Sequence, residues 1–214
     1  MKLYAYWASS ASHRVRIALN LKGVAYDIVP VDLRGARAQH SQAYRKLNPH
    51  GRVPTLLLDD GTALTQSLAI IQWLEQTYPE PALIPADPIL AARVTAFAQI
   101  VASDIQPLHV NKILMRLKAV GGLDDAGVAE WGRHWVAEGF DALEALAAET
   151  DARFAFTDAP GLAEIVLVPQ MRKARDFGVD LSPYRRLCEI AARASALQAF
   201  ADAAPERQPD APRS

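Results

Sequence analysis

The sequence predicts an α/β domain of order βαβαββα at residues 1–80, joined through a linker at 81–88 to an all-α domain at 89–214. Three observations predict it. Short apolar runs alternate with helical periodicity only in the first eighty residues. Four prolines crowd the stretch PEPALIPADP (79–88), where they favour extended backbone. Beyond it every strong hydrophobic pattern has the period of a helix.

Taken in order, KLYAYW (2–7) is apolar and aromatic enough for a strand. Val15, Ile17, Ala18 and Leu19 follow as the apolar side of a helix that ends at Gly23. VAYDIVPVD offers a second strand, and ARAQHSQAYRKLNP a polar helix stopped by Asn48-Pro49. VPTLLLDDGTALT offers two short strands around an Asp60-Gly61 turn, and a helix from Ser67 to Tyr78 closes the unit. This order is the thioredoxin-like arrangement, with helices on both faces of a small mixed sheet. In the second half, Leu90, Val94, Phe97, Val101, Ile105 and Leu108 form one helical stripe, and Val128, Trp131, Trp135, Leu143 and Leu146 another. LAEIVLVPQ is apolar on nearly every side, which predicts a helix through the centre of its domain. The tail APERQPDAPRS is too rich in proline and charge for a helix and is expected along the surface.

Half of the 214 residues are hydrophobic and the net charge is -1 with scattered basic residues, so neither nucleic acid nor an anionic membrane is an expected partner. No run of about 18 apolar residues stands out, and the chain reads as soluble and cytoplasmic. The single cysteine, Cys188, excludes an intrachain disulfide and any CxxC motif. On its apolar helical stretch it reads as inert packing. If thiol chemistry occurs, the thiol is borrowed.

The stretch SSASHRVRIAL (9–19) lies where strand hands over to helix. Its serines are good N-caps, and the unpaired N–H groups of a helix start also favour an anion such as a thiolate. SSASHRVRIAL resembles the SSCxxRVRIAL signature of the zeta-class glutathione transferases, a family that includes maleylacetoacetate and maleylpyruvate isomerases. LNPHGRVPTL, QSLAIIQWLE, PLHVNKIL, LVPQ, VDLSPY and RQPDAP extend the resemblance over the whole chain.

The resemblance implies a glutathione transferase fold, glutathione as cofactor, and a homodimer. It places Ser9 against the glutathione sulfur, with Ser10 as the alternative. Val53 pairs its backbone with the cysteinyl part before a cis Pro54, and Gln66 with Ser67 holds the γ-glutamyl carboxylate. Gln39 reaches the glycyl end. Gln106, as a cofactor-binding residue, and the segment His109 to Lys112 face the glutathione cleft, and His109, Asn111 and Lys112 with Arg175 nearby serve the second substrate. The implied reaction is cis–trans isomerisation of a cis-enone dicarboxylate, maleylacetoacetate or maleylpyruvate, by thiolate addition, bond rotation and elimination. A transferase or dehalogenase acting on another small-molecule electrophile remains an alternative, and a non-catalytic glutathione-binding module another.

The chain departs from the family pattern at several positions. Ala11 replaces the signature cysteine, and Ala8 and Asn111 stand where members carry arginines suited to bidentate carboxylate recognition. Lys112, Arg116, Arg172 and Arg175 are the cations available to compensate. Gly161 and Glu164 replace the threonine or serine and the aspartate that start the central helix.

Overall fold

The computed structural model describes residues 1–212, which form two compact units, Met1–Ala82 together with 197–212, and Leu83–Ala196. In the first unit the elements run β1 (Lys2–Ala5), α1 (Ser10–Leu21), β2 (Asp27–Pro30), α2 (Gln42–Leu47), β3 (Thr55–Leu57), β4 (Ala63–Thr65) and α3 (Ser67–Thr77). The sheet order is β2-β1-β3-β4, with β1 parallel to β2 and antiparallel to β3, and β3 antiparallel to β4. Leu3, Ile17, Leu19, Leu56, Ile70 and Leu74 are fully buried between sheet and helices. That burial is the main stabilising contribution to the unit.

Local departures from the expected elements have physical causes. The first strand ends at Ala5 because the Tyr6 carbonyl accepts the Ser9 N–H at 3.0 Å, turning the chain into α1. The polar helix begins only at Gln42, capped by Ser41 Oγ on the Tyr44 N–H. Ahead of it the Asp32 carboxylate gathers the N–H groups of Arg34, Gly35 and Ala36 into a loop. These three donors hold that exposed carboxyl below the usual range.

The second unit contains α4 (Pro88–Gln99), α5 (Asn111–Gly121), α6 (Asp125–Ala148), α7 (Leu162–Asp176) and α8 (Arg185–Ser195). The run Pro88–His109 is long and apolar enough by composition to cross a membrane. Its Val94, Phe97, Ala98, Val101 and Ile105 are instead buried in the unit's core. Regular α-helix gives way in this run to a π segment at Ile100–Ile105 and a 3-10 turn at Gln106–His109. The single stripe read over residues 90 to 108 therefore crosses two changes of helical period. Helix α7 is central, as its all-round apolarity predicts, with Leu162 to Leu167, Pro169, Gln170 and Met171 buried.

At the start of α7, Glu164 accepts the Gly161 N–H at 2.8 Å and the Ala155 N–H at 2.9 Å. A Cβ on Gly161 would lie 2.5 Å from the Leu83 carbonyl oxygen, so this cap is made from the glutamate side alone. The tail, read with the helical half, packs with the first unit. Its α9 (Gln198–Ala203) lies on α1, because Arg16 Nε donates to the Ala203 carbonyl at 2.9 Å and Asn20 Nδ2 to the Ala199 carbonyl at 2.8 Å.

Candidate active site

Ser9 is the N-cap of α1, and its Oγ accepts the Ser12 N–H at 3.2 Å. A hydroxyl has two acceptor lone pairs and one donor, so capping leaves the O–H free to donate. Ser9 is half-buried, whereas Ser10 lies inside the first turn at 9% exposure. The cap and the thiolate role are therefore compatible at Ser9, and the exposed face of the turn is Ser9's.

The second wall of the site is the LNPHGRVPT loop. The Val53–Pro54 bond is cis. Buried Asn48 donates to the Arg52 carbonyl at 2.7 Å and to Thr55 Oγ1 at 3.0 Å, and accepts the His50 N–H at 3.0 Å. The Tyr44 hydroxyl adds a bond to the same Arg52 carbonyl at 2.6 Å. Carbonyls and hydroxyls on both sides of Val53 are thus held, while the Val53 N–H and C=O make no hydrogen bond among the described residues. They are available to an extended peptide, in the manner of a strand added to an edge. Gly51, at φ +63°, is required here by conformation and by the Gln39 carbonyl 3.0 Å from where a Cβ would sit.

The third element is the start of α3. Gln66 is its N-cap at φ 67° and ψ 120°, with an exposed side chain. Ser67 is its first residue and is 7% exposed. Arg14, 1% exposed on α1, donates through Nη1 to Ser67 Oγ at 3.4 Å, while its Nε and Nη2 have no partner among the described residues. Burial lowers the Arg14 pKa to about 10, which still leaves it charged at neutral pH. A buried cation with open donors, a hydroxyl and free helix N–H groups form a cradle for a carboxylate. Gln39, in the 3-10 turn Ala38–His40, is half-buried, and its Oε1 has no partner among the described residues.

The remaining candidates lie in the second unit. Gln106 opens the 3-10 turn and is half-buried. His109 is 5% exposed, its Nε2 is 3.3 Å from Gln170 Oε1 on α7, and its ring meets Phe177 edge-on at 5.4 Å between centroids. Its polar edge is thus engaged within the core. Asn111 and Lys112 begin α5 and are exposed, as is Arg175 near the end of α7. The described contacts join His109 to α7 but do not join Arg175 to Asn111 or Lys112.

A family model described as "Glutathione S-transferase, N-terminal domain" matches residues 3–82. Maleylacetoacetate isomerase of Pseudomonas aeruginosa is 46% identical over 213 residues, covering 99% of each chain. The chain belongs to the zeta-class glutathione transferase family. A holo structure of maleyl pyruvate isomerase, a zeta-class member, superposes with a TM-score of 0.95 at 46% identity, covering 99% of this chain and 100% of that one. Maleylacetoacetate isomerase from Methylobacterium extorquens AM1, with bound malonate and glutathione, gives a TM-score of 0.94 at 39% identity, with all of both chains covered.

In this zeta-class chain Arg14, Tyr44 and Asn48 join the site only once the chain is folded. Within RVRIAL Arg14 reads as part of a signature, yet it is buried and its guanidinium donates to Ser67 Oγ. In the sequence Asn48 reads as a helix stop. The signal available for it was asparagine directly before proline, followed by a glycine loop, a pattern in which an amide side chain organises neighbouring backbone.

Proposed function

We propose that this chain is a glutathione-dependent cis–trans isomerase of maleylacetoacetate or maleylpyruvate. The observation that carries the mechanism is the Ser9 hydroxyl, whose oxygen is engaged by the Ser12 N–H while its proton remains to give. Glutathione supplies the thiolate that adds beside the cis double bond and departs after rotation. Ser9 donates to that sulfur and, with the N-terminus of α1, favours its ionised form at neutral pH. Val53 binds the cysteinyl backbone. Ser67, Gln66 and Arg14 receive the γ-glutamyl carboxylate, and Gln39 the glycyl end.

Met1–Ala82 with the returning tail is thus the glutathione-binding unit, and Leu83–Ala196 the unit that offers Asn111, Lys112 and Arg175 to a dicarboxylate. His109, engaged by Gln170, shapes that wall. The resemblance supports a homodimer, and light scattering at the monomer mass would refute it. A cytoplasmic location suits a reaction that needs reduced glutathione.

The decisive experiment follows the absorbance of maleylpyruvate and maleylacetoacetate with purified protein, with and without glutathione. Glutathione-dependent conversion to the fumaryl isomer supports the reading. Protein that binds glutathione and converts neither substrate points to the second reading, transfer to a less anionic electrophile, which the neutral Ala8 and Asn111 favour.

A further inference from the structure

We propose that Asp210, in the C-terminal RQPDAP segment, is a positioning residue that fixes the turn carrying Ser9. The inference rests on the Ser9 role proposed above. Asp210 Oδ2 accepts the Trp7 N–H at 3.0 Å, and Arg16 Nη2 donates to the Trp7 carbonyl at 3.1 Å. Arg16, 1% exposed, uses its Nε at the same time on the Ala203 carbonyl. Both polar groups of the Trp7 backbone are therefore held, one by the tail directly and one by a guanidinium that also holds the tail. Trp7 lies two residues before Ser9, and the Ser9 N–H closes the turn onto Tyr6.

The tail is built to present this carboxylate. Buried Gln208 donates through Nε2 to the carbonyls of Asp202 at 3.1 Å and Ala204 at 2.8 Å, covering the end of α9. The Ala211 N–H then bonds to the Gln208 carbonyl at 3.0 Å, bending the chain around Pro209 and Asp210. A bond from N–H to a carboxylate is stronger than one to a neutral acceptor. Ser9 Oγ is held by the Ser12 N–H at the start of α1, and Trp7 sets the turn from which that cap is presented, so a shift of Trp7 moves the hydroxyl. Small displacements of a reacting group carry large rate costs.

The test compares wild type, Asp210→Ala, Asp210→Asn and Ser9→Ala as full-length proteins. Hydrogen exchange of the Trp7 amide is measured without glutathione. The thiol of bound glutathione is titrated by its thiolate absorbance in the ultraviolet, and kcat and glutathione KM are measured separately. Asp210→Ala should speed Trp7 exchange, raise the bound thiol's pKa by about half a unit and lower kcat about tenfold with little change in KM. Asp210→Asn, which keeps an acceptor oxygen, should recover most of this.

An Asp210→Ala protein with wild-type titration and kcat overturns the inference. So does equal loss in Asp210→Ala and Asp210→Asn, which would mark a merely structural role. If Asp210→Ala does not fold, Asp210→Ser, whose shorter side chain withdraws the oxygen, is read by the same criteria. Ser9→Ala separates the two claims. An unshifted titration there removes the Ser9 role itself, whereas a shift in Ser9→Ala with none in Asp210→Ala removes only the tail's part.

Discussion

Arg14 and Ser67, on different helices of the first unit, meet at 3.4 Å with the guanidinium almost wholly buried and two of its nitrogens without a partner among the described residues. A buried charge without full pairing costs stability, and it is retained where a ligand completes it. Replacing Arg14 with Met should therefore leave Tm unchanged or raise it while weakening glutathione binding about tenfold, ~1.4 kcal/mol. Ser67→Ala should weaken binding similarly, and the double variant should lose less than the product of the two. Calorimetric titration with glutathione measures all three, and additive losses would show that the pair does not act as one carboxylate site.

Ser9 performs two tasks that substitution can separate. Ser9→Ala removes cap and hydroxyl together, so it should cost about 1 kcal/mol of stability as well as turnover. Ser9→Gly keeps a tolerable cap, losing only a few tenths of a kcal/mol, yet should lose turnover equally. Glutathione affinity should change little in either. Wild-type kcat in the glycine variant would remove the hydroxyl from the chemistry.

Asn48 donates to the Arg52 carbonyl before Val53 and to the Thr55 hydroxyl after it, and Asn48→Ala leaves both with fewer partners. A loss of about 1–3 kcal/mol in denaturant unfolding is expected. Glutathione affinity should fall with it, since Val53 is no longer held. Tyr44→Phe, which removes one of two bonds to the same carbonyl, should behave as a milder copy.

Restoring a serine at position 161 should destabilise this chain, although serine is the better cap in isolation. The new Cβ meets the Leu83 carbonyl oxygen at 2.5 Å. A loss of about 1–3 kcal/mol follows if the backbone must shift. A raised Tm for Gly161→Ser would contradict the geometry. Glu164 adds a pH signature. Burial raises its folded-state pKa above the ordinary value of 4.5, against the opposing pull of the Gly161 and Ala155 N–H groups. Between those two values the folded state binds more protons than the unfolded one, so stability falls as pH rises through the window. Glu164→Gln should lack that slope when unfolding is compared pH by pH.

Cys188 is half-buried, and desolvation raises its thiol above the usual range. Less of it is thiolate at any given pH, so alkylation at pH 8 should be slower than for an exposed cysteine peptide. Reaction as fast as the peptide's would contradict this burial.

Local pattern carried much of the architecture. The four strands and the helices between them were legible because alternation, capping serines and the Asp60-Gly61 turn are short-range signals. Helix α7 was legible because LAEIVLVPQ has no polar side to turn to water. The capping of α1 by Ser9 and the helix start at Gln66-Ser67 were legible for the same reason. Arg14 and Arg16 were not. Inside RVRIAL they read as the polar side of a helix, yet both are buried, because their acceptors come from Ser67, Trp7 and Ala203. Periodicity reports that a position is polar but not whether its partner is water or a distant carbonyl.

By itself the sequence determined the order of elements, the proline-rich junction and the family, since caps, turns and signature spacing act within a few residues. Tertiary structure alone decided that Arg14 stands under Ser67, that Asn48 clamps both sides of Val53, and that the tail returns to α1 with Asp210 on the Trp7 N–H. The Arg14 and Asp210 contacts join residues distant along the chain, and all three are made by which buried polar groups must find partners once the core has closed.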